Sequence, residues 1–111
     1  MARFQIVLVT CVSKAEATII ARALVERRLA ACVNVVAAPI ESIYRWKGGT
    51  ESGKEFLLVI KSTQSRFAAL RREIETLHSY EVPEIIALPI SAGSPRYLKW
   101  LAESVSAKPS R

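Results

Sequence analysis

Three stretches of this chain are apolar at consecutive positions, a pattern that a sheet with one wet face does not tolerate. Side chains alternate across a strand. In 56–60, Phe56, Leu58 and Ile60 fall on one face, and Leu57 and Val59 on the other. Phe4, Ile6 and Leu8 likewise oppose Val7 and Val9, and Ile85, Ile86, Ala87 and Leu88 are apolar on both sides. Strands of this kind occur where both faces of the sheet are covered. The chain supplies two main amphipathic helices, enough for one face only. A bare second face would exceed the few hundred Å² of apolar patch that soluble monomers usually carry. The pattern predicts that the open face is buried against further copies of the chain.

The order of elements follows from turn and capping signals. Phe4 to Thr10 reads as a strand, and Ser13-Lys14-Ala15-Glu16 fits a capping box, with Ser13 and Glu16 bonding each other's backbone N–H. The helix runs to about Arg28, with Ala17, Ile20, Ala21 and Leu24 on its apolar face. Ala31 to Val36 is a second strand, Pro39 marks a break or bend, and Ile43, Tyr44 and Trp46 belong to a third. Lys47-Gly48-Gly49-Thr50 with Gly53 is expected as the turn, Phe56 to Ser62 as a fourth strand. Ser65 caps a second helix carrying Phe67, Leu70, Ile74 and Leu77 and ending near His78, since Val82-Pro83 favours extended backbone. Glu84 to Ile90 is a fifth strand, and Pro95 opens a short last helix with Leu98, Trp100 and Leu101. The reading is an α+β, ferredoxin-like βαββαβ plait with a long hairpin and an extra C-terminal helix. It forms one domain over 1–104, followed by a flexible tail at 105–111.

Composition removes several chemistries. All ten acids are glutamates, and there is one asparagine, Asn34, one histidine, His78, and four glycines. A Ser-His-Asp triad, an Asp-built calcium or magnesium site, GxGxxG and GxxxxGK[ST] are all excluded. One histidine and two cysteines cannot build a four-ligand zinc site within one chain. Arg3 followed by the apolar run to Val9 has some signal-peptide character, but the run is β-branched, interrupted by Gln5 and followed at once by a capped helix. With no disulfide framework from Cys11 and Cys32, the expected compartment is the cytoplasm. No apolar run approaches a membrane span. The net charge of +6 sits on helix arginines, among them Arg22, Arg27, Arg71 and Arg72, and the strands lack the aromatic stacking pattern of RNA-binding plaits. Neither a nucleic-acid nor a membrane partner is expected.

Few residues remain for chemistry. His78 reads either as a helix-terminal residue suited to the dipole or as an imidazole ligand near Glu81, Glu84 or a thiol. Cys11 and Cys32 read first as core thiols, and Tyr44 and Trp46 as packing or interface residues. Lys61 ends an apolar strand, where solvent, Glu84 or an anionic ligand would satisfy it.

Several strings resemble the CutA family of divalent-cation tolerance proteins: Leu29-Ala30-Ala31-Cys32-Val33-Asn34, Ser42-Ile43-Tyr44-Arg45-Trp46, 55–63, 77–86 and Tyr97-Leu98-Lys99-Trp100-Leu101. The resemblance runs from about Phe4 to Leu101 and implies a non-enzymatic homotrimer, similar in architecture to PII signalling proteins. It implies low-affinity binding of copper(II) or another divalent metal, without an organic cofactor. By position it makes His78, Cys32 and Glu84 the metal residues, and lines an intersubunit cleft with Trp46, Lys61, Thr63, Tyr80 and Glu84. Two departures stand out. Ser79 replaces a usual proline, and Val9 takes the place of a first-strand cysteine proposed as a copper ligand in some bacterial members. Cys11 is two residues on, sharing a strand face with that position but displaced along it. The alternative to cation tolerance is a PII-like small-molecule sensor or partner-binding module holding an anion in the cleft near Lys61.

Overall fold

The computed structural model describes residues 3–106. Its elements are β1 (Phe4–Cys11), α1 (Lys14–Glu26), β2 (Cys32–Val35), β3 (Ile40–Trp46), β4 (Gly49–Thr63), α2 (Phe67–Leu77), β5 (Ile85–Pro89) and α3 (Pro95–Ser104). A 3-10 turn at Gln64–Arg66 leads into α2. Every strand pairing is antiparallel, in the order β2-β4-β1-β5, with β3 beside the first half of β4. The architecture is α+β, an antiparallel sheet with three helices.

The fourth strand is longer than the expected Phe56–Ser62. It starts at Gly49, so Gly53 is not in a turn but in the ladder, opposite Ser42. The turn itself needs only Lys47 and Gly48, at φ +50° and +82°, between the paired Trp46 and Gly49. Positive φ at both central residues is the two-residue turn whose twist matches that of the strands. At Pro39 the outer strand is interrupted. Val35 faces Leu58 and Ile40 faces Glu55, so four residues of one strand span two of its partner, a bulge that splits β2 from β3.

The helix α1 forms as its capping signal predicts, with Ser13 Oγ accepting from Glu16 N–H at 3.1 Å. The reciprocal half of the box is not made, because the Glu16 carboxylate turns toward His78. The buried positions of α1 are Ala17, Ile20, Ala21 and Leu24, and those of α2 are Leu70 and Ile74. They pack on Val7, Val9, Cys11, Leu58 and Ile60, all on one sheet face. Each fully buried Leu or Ile there contributes about 1.5–3 kcal/mol relative to exposure. Ser65 does not cap α2. The chain winds first through the 3-10 turn, Arg66 takes the cap position, and Ser65 Oγ lies 3.2 Å from Thr63 Oγ1.

On the other face, α3 sets Leu101 and Val105 against Ala31 and Phe4. Arg28 secures this docking by donating to the carbonyls of Glu103 and Ser106 at 2.8 and 2.9 Å. Residues 105 and 106, assigned above to the tail, are therefore tied to the domain; 107–111 lie outside the described residues. Beyond α3 the second face stays accessible within the chain. Ile86 and Leu88 are 50% and 46% exposed, and Ile6, Leu8 and Val59 only half-buried. No described helix is long and apolar enough to cross a membrane.

Candidate cation site and adjoining cleft

Three donor-bearing side chains meet where β1 ends, α1 begins and α2 stops. Cys11 is the last residue of β1 and faces the helices; Glu16 lies in the first turn of α1. His78 caps the C-terminus of α2 in extended conformation, φ −79° and ψ 141°, which turns its ring back under the helix. One donor atom from each of the three lies within 4.8 Å of the others.

The imidazole is buried and fully bonded. Nε2 stands 2.7 Å from the Thr10 carbonyl, which can only accept, and Nδ1 is 3.1 Å from the Tyr80 backbone N–H, which can only donate. The ring is therefore the neutral tautomer protonated at Nε2. Glu16 Oε2 lies 3.6 Å from Nδ1, buried and without a hydrogen-bond partner. The Cys11 thiol is pushed up to about 12, first by burial and then by the negative charges of Glu16 and Glu55. Sulfur, imidazole and carboxylate together are a donor set for copper or zinc rather than for magnesium or calcium. Tetrahedral coordination with bonds of about 2.0–2.3 Å needs donors about 3.3–3.8 Å apart. Glu16 and His78 already meet that spacing.

Beside this cluster, a cavity of about 610 Å³ opens between the β3–β4 hairpin and the loop after α2. Tyr80 joins the two. Its ring packs on His78 at 4.7 Å between centroids, its hydroxyl donates to Glu55 Oε2 at 2.7 Å, and it lines the cavity. Burial, that bond and the Glu55 charge all raise the Tyr80 phenol above its ordinary range.

A family model, CutA1 divalent ion tolerance protein, matches residues 5–104. The chain belongs to the CutA1 family. It is 49% identical to the divalent-cation tolerance protein CutA of Thermus thermophilus over 100 residues, covering 90% of this chain and 96% of that one. It is 50% identical to mouse CutA, covering 88% of this chain but only 56% of the mouse protein. The solved Thermus structure superposes with a TM-score of 0.90 at 48% identity, covering 93% of this chain and 99% of that one. An Archaeoglobus fulgidus CutA described as periplasmic gives 0.87 at 40%, covering 96% and 100%.

Among the CutA-like positions named from sequence, the fold gathers some and separates others. Trp46, Tyr80 and Glu84 line the cavity, and His78 sits directly behind Tyr80. Cys32 does not join His78. It pairs with Lys61, whereas Thr10, the partner of His78, pairs with Leu57 on the opposite flank of β4. Glu84 belongs to the cavity and not to the donor cluster. Lys61 donates through Nζ to Asn34 Oδ1, and Thr63 pairs with Phe4 at the far end of the sheet; neither lines the cavity of this chain. Two members of the donor cluster are not among the metal residues named from sequence. Cys11 reads as a core thiol, and Glu16 as half of a capping box; only the strand parity of Cys11 hinted at its direction.

Proposed function

We propose that this chain acts, without catalysis, as a cytoplasmic homotrimeric divalent-cation tolerance protein of ferredoxin-like subunits that binds copper(II) weakly. What supports the cation reading is the convergence of Cys11, Glu16 and His78, with the Glu16 oxygen buried and unpartnered. The name of the Thermus thermophilus relative, a divalent-cation tolerance protein, points the same way. Affinity is modest for two physical reasons. The thiol must lose a proton that burial holds tightly, and Nδ1 must give up the Tyr80 N–H. The trimer reading rests on the apolar face that α1 and α2 leave uncovered.

Calorimetry with copper(II) and zinc(II) tests the site. Cys11→Ser and His78→Ala weaken copper binding by at least tenfold on this reading, and Cys32→Ser leaves it unchanged. Equal binding by all four proteins would remove the assignment. Sedimentation of the wild type tests the trimer, and a stable single chain at micromolar concentration would refute it.

A second reading, a small-molecule sensor, is favoured by the cavity beside Tyr80. The anion expected for it from Lys61 is ill-matched within the chain, because Lys61 is engaged by Asn34 and the cavity wall carries Glu55, Glu81 and Glu84.

A further inference from the structure

We infer, resting on the cation reading above, that Cys11, Glu16 and His78 form a site for a large thiophilic divalent ion, of which cadmium(II) is the type, and hold it more tightly than zinc(II) or copper(II). The donors all belong to one chain. They gather on the sheet face that α1 and α2 cover, with the Cys11 and His78 side chains buried and the Glu16 carboxylate largely so. Their spacing is set by packing within the chain, whatever covers the other face of the sheet.

Charge selects the valence. Bound through sulfur, Cys11 contributes a thiolate, Glu16 a carboxylate and His78 a neutral imidazole whose Nδ1 faces Glu16. One divalent ion balances two negative charges, and an unbalanced buried charge is costly. Softness selects next. Thiolate and imidazole suit thiophilic ions, whereas magnesium, calcium and manganese seek oxygen ligands. Burial and nearby carboxylates keep the Cys11 proton in place. The metal–sulfur bond replaces the S–H bond and the proton passes to water, so an ion with a strong bond to sulfur is needed.

Size decides among the ions that remain. Zinc(II), with bonds of about 2.0–2.3 Å, draws tetrahedral donors to about 3.3–3.8 Å. An ion of calcium's size, such as cadmium(II), has bonds of about 2.3–2.6 Å and leaves them about 3.8–4.2 Å apart. Glu16 Oε2 and His78 Nδ1 stand 3.6 Å apart, and the three donors lie within 4.8 Å of one another. The larger ion closes that triangle with less displacement of Nδ1 from the Tyr80 N–H and of the sulfur from the core. Copper(II) prefers four donors in a plane. Here one donor rises from the sheet and two descend from the helix layer.

The test is titration of full-length Cys32→Ser protein, in which Cys11 is the sole thiol, with cadmium(II), zinc(II) and copper(II). Ultraviolet sulfur-to-metal charge transfer and cadmium NMR read the bond to Cys11. The expected result is one cadmium per chain, with a charge-transfer band that Cys11→Ser abolishes and an affinity at least tenfold above that for zinc(II) and copper(II). Glu16→Gln, whose folding circular dichroism confirms, keeps the band and weakens cadmium at least tenfold. Excess magnesium or calcium leaves the band unchanged. Absence of the band, its survival in Cys11→Ser, or zinc(II) or copper(II) bound as tightly as cadmium(II) overturns the proposal. If copper(II) binding then still depends on Cys11, the cation reading stands without the size preference. If no ion depends on Cys11, both fall.

Discussion

The Tyr80 backbone N–H donates to Nδ1 of His78, and through the other nitrogen the same ring holds the Thr10 carbonyl of β1. The histidine is thus a brace between β1, the end of α2 and the loop that walls the cavity. Its Nδ1 is also the atom that faces Glu16. A cation bound there takes the lone pair that Tyr80 uses, so cation binding and the position of Tyr80 are linked. Zinc(II), which is diamagnetic, should shift the Tyr80 amide and side-chain resonances more than those of Phe4 or Ser62 in an NMR titration. An unchanged Tyr80 amide at saturation would show that the metal sits elsewhere.

Removal of the brace is a stability experiment. His78→Ala strands the buried Thr10 carbonyl and frees the Tyr80 N–H, and should destabilise the fold by about 2–4 kcal/mol in urea denaturation. A loss below about 0.5 kcal/mol would place the ring in solvent, contrary to its burial here.

Alkaline pH should weaken the fold through Cys11. The thiol is raised from 9.0 to about 12 in the folded chain, so the folded state retains a proton that the unfolded state releases. Stability is therefore unaffected below about 9 and falls as pH rises from there toward 12, by up to about 1.4 kcal/mol per unit. Tyr80, also raised, adds to the decline in the tyrosine range. Cys11→Ala should flatten the first part of the curve. Copper affinity should move oppositely, gaining about tenfold per pH unit where the thiolate is the ligand.

Arg28 combines strain with a tie. At φ +59° it occupies the left-handed position after α1, where Arg28 N–H bonds the Val25 carbonyl and Leu29 N–H bonds that of Leu24. This is the helix ending that glycine usually serves. Its guanidinium meanwhile holds α3. Arg28→Ala keeps the strain and loses the tie, so it should cost about 1–2 kcal/mol. Arg28→Gly relieves about 1 kcal/mol of strain and should fall close to wild type in denaturant midpoint.

Lys47 stands at φ +50° in the hairpin turn, before Gly48. Lys47→Asn places the preferred residue pair in that turn and should raise stability by about 0.5–1 kcal/mol in thermal or urea unfolding. A loss would mean that the Lys47–Trp46 contact outweighs the backbone term.

Much of this was legible because local rules carry it. The Ser13 cap, the buried face of α1 and the apolar strands each depend on residues two to four positions apart. The first half of β4 was not legible, since Thr50 to Glu55 is polar and glycine-containing; its pairing with β3, not burial, holds it extended. The motif strings marked His78, Tyr80, Trp46 and Glu84, and the fold sets them around one corner of the molecule. Within one chain Cys32 stands apart from His78, because a cysteine in a strand goes wherever sheet register carries it, and register places Cys32 opposite Lys61.

By itself, then, the sequence determined an α+β chain with a sheet too apolar for one layer of helices, and the residues from which any site had to be drawn. Tertiary structure alone decided that Cys11, Glu16 and His78 converge and that three glutamates meet three aromatic rings in one cavity. Periodicity reports which face of its own element a residue occupies. Which distant faces then meet depends on strand register and on the turn at His78, and no local pattern contains either.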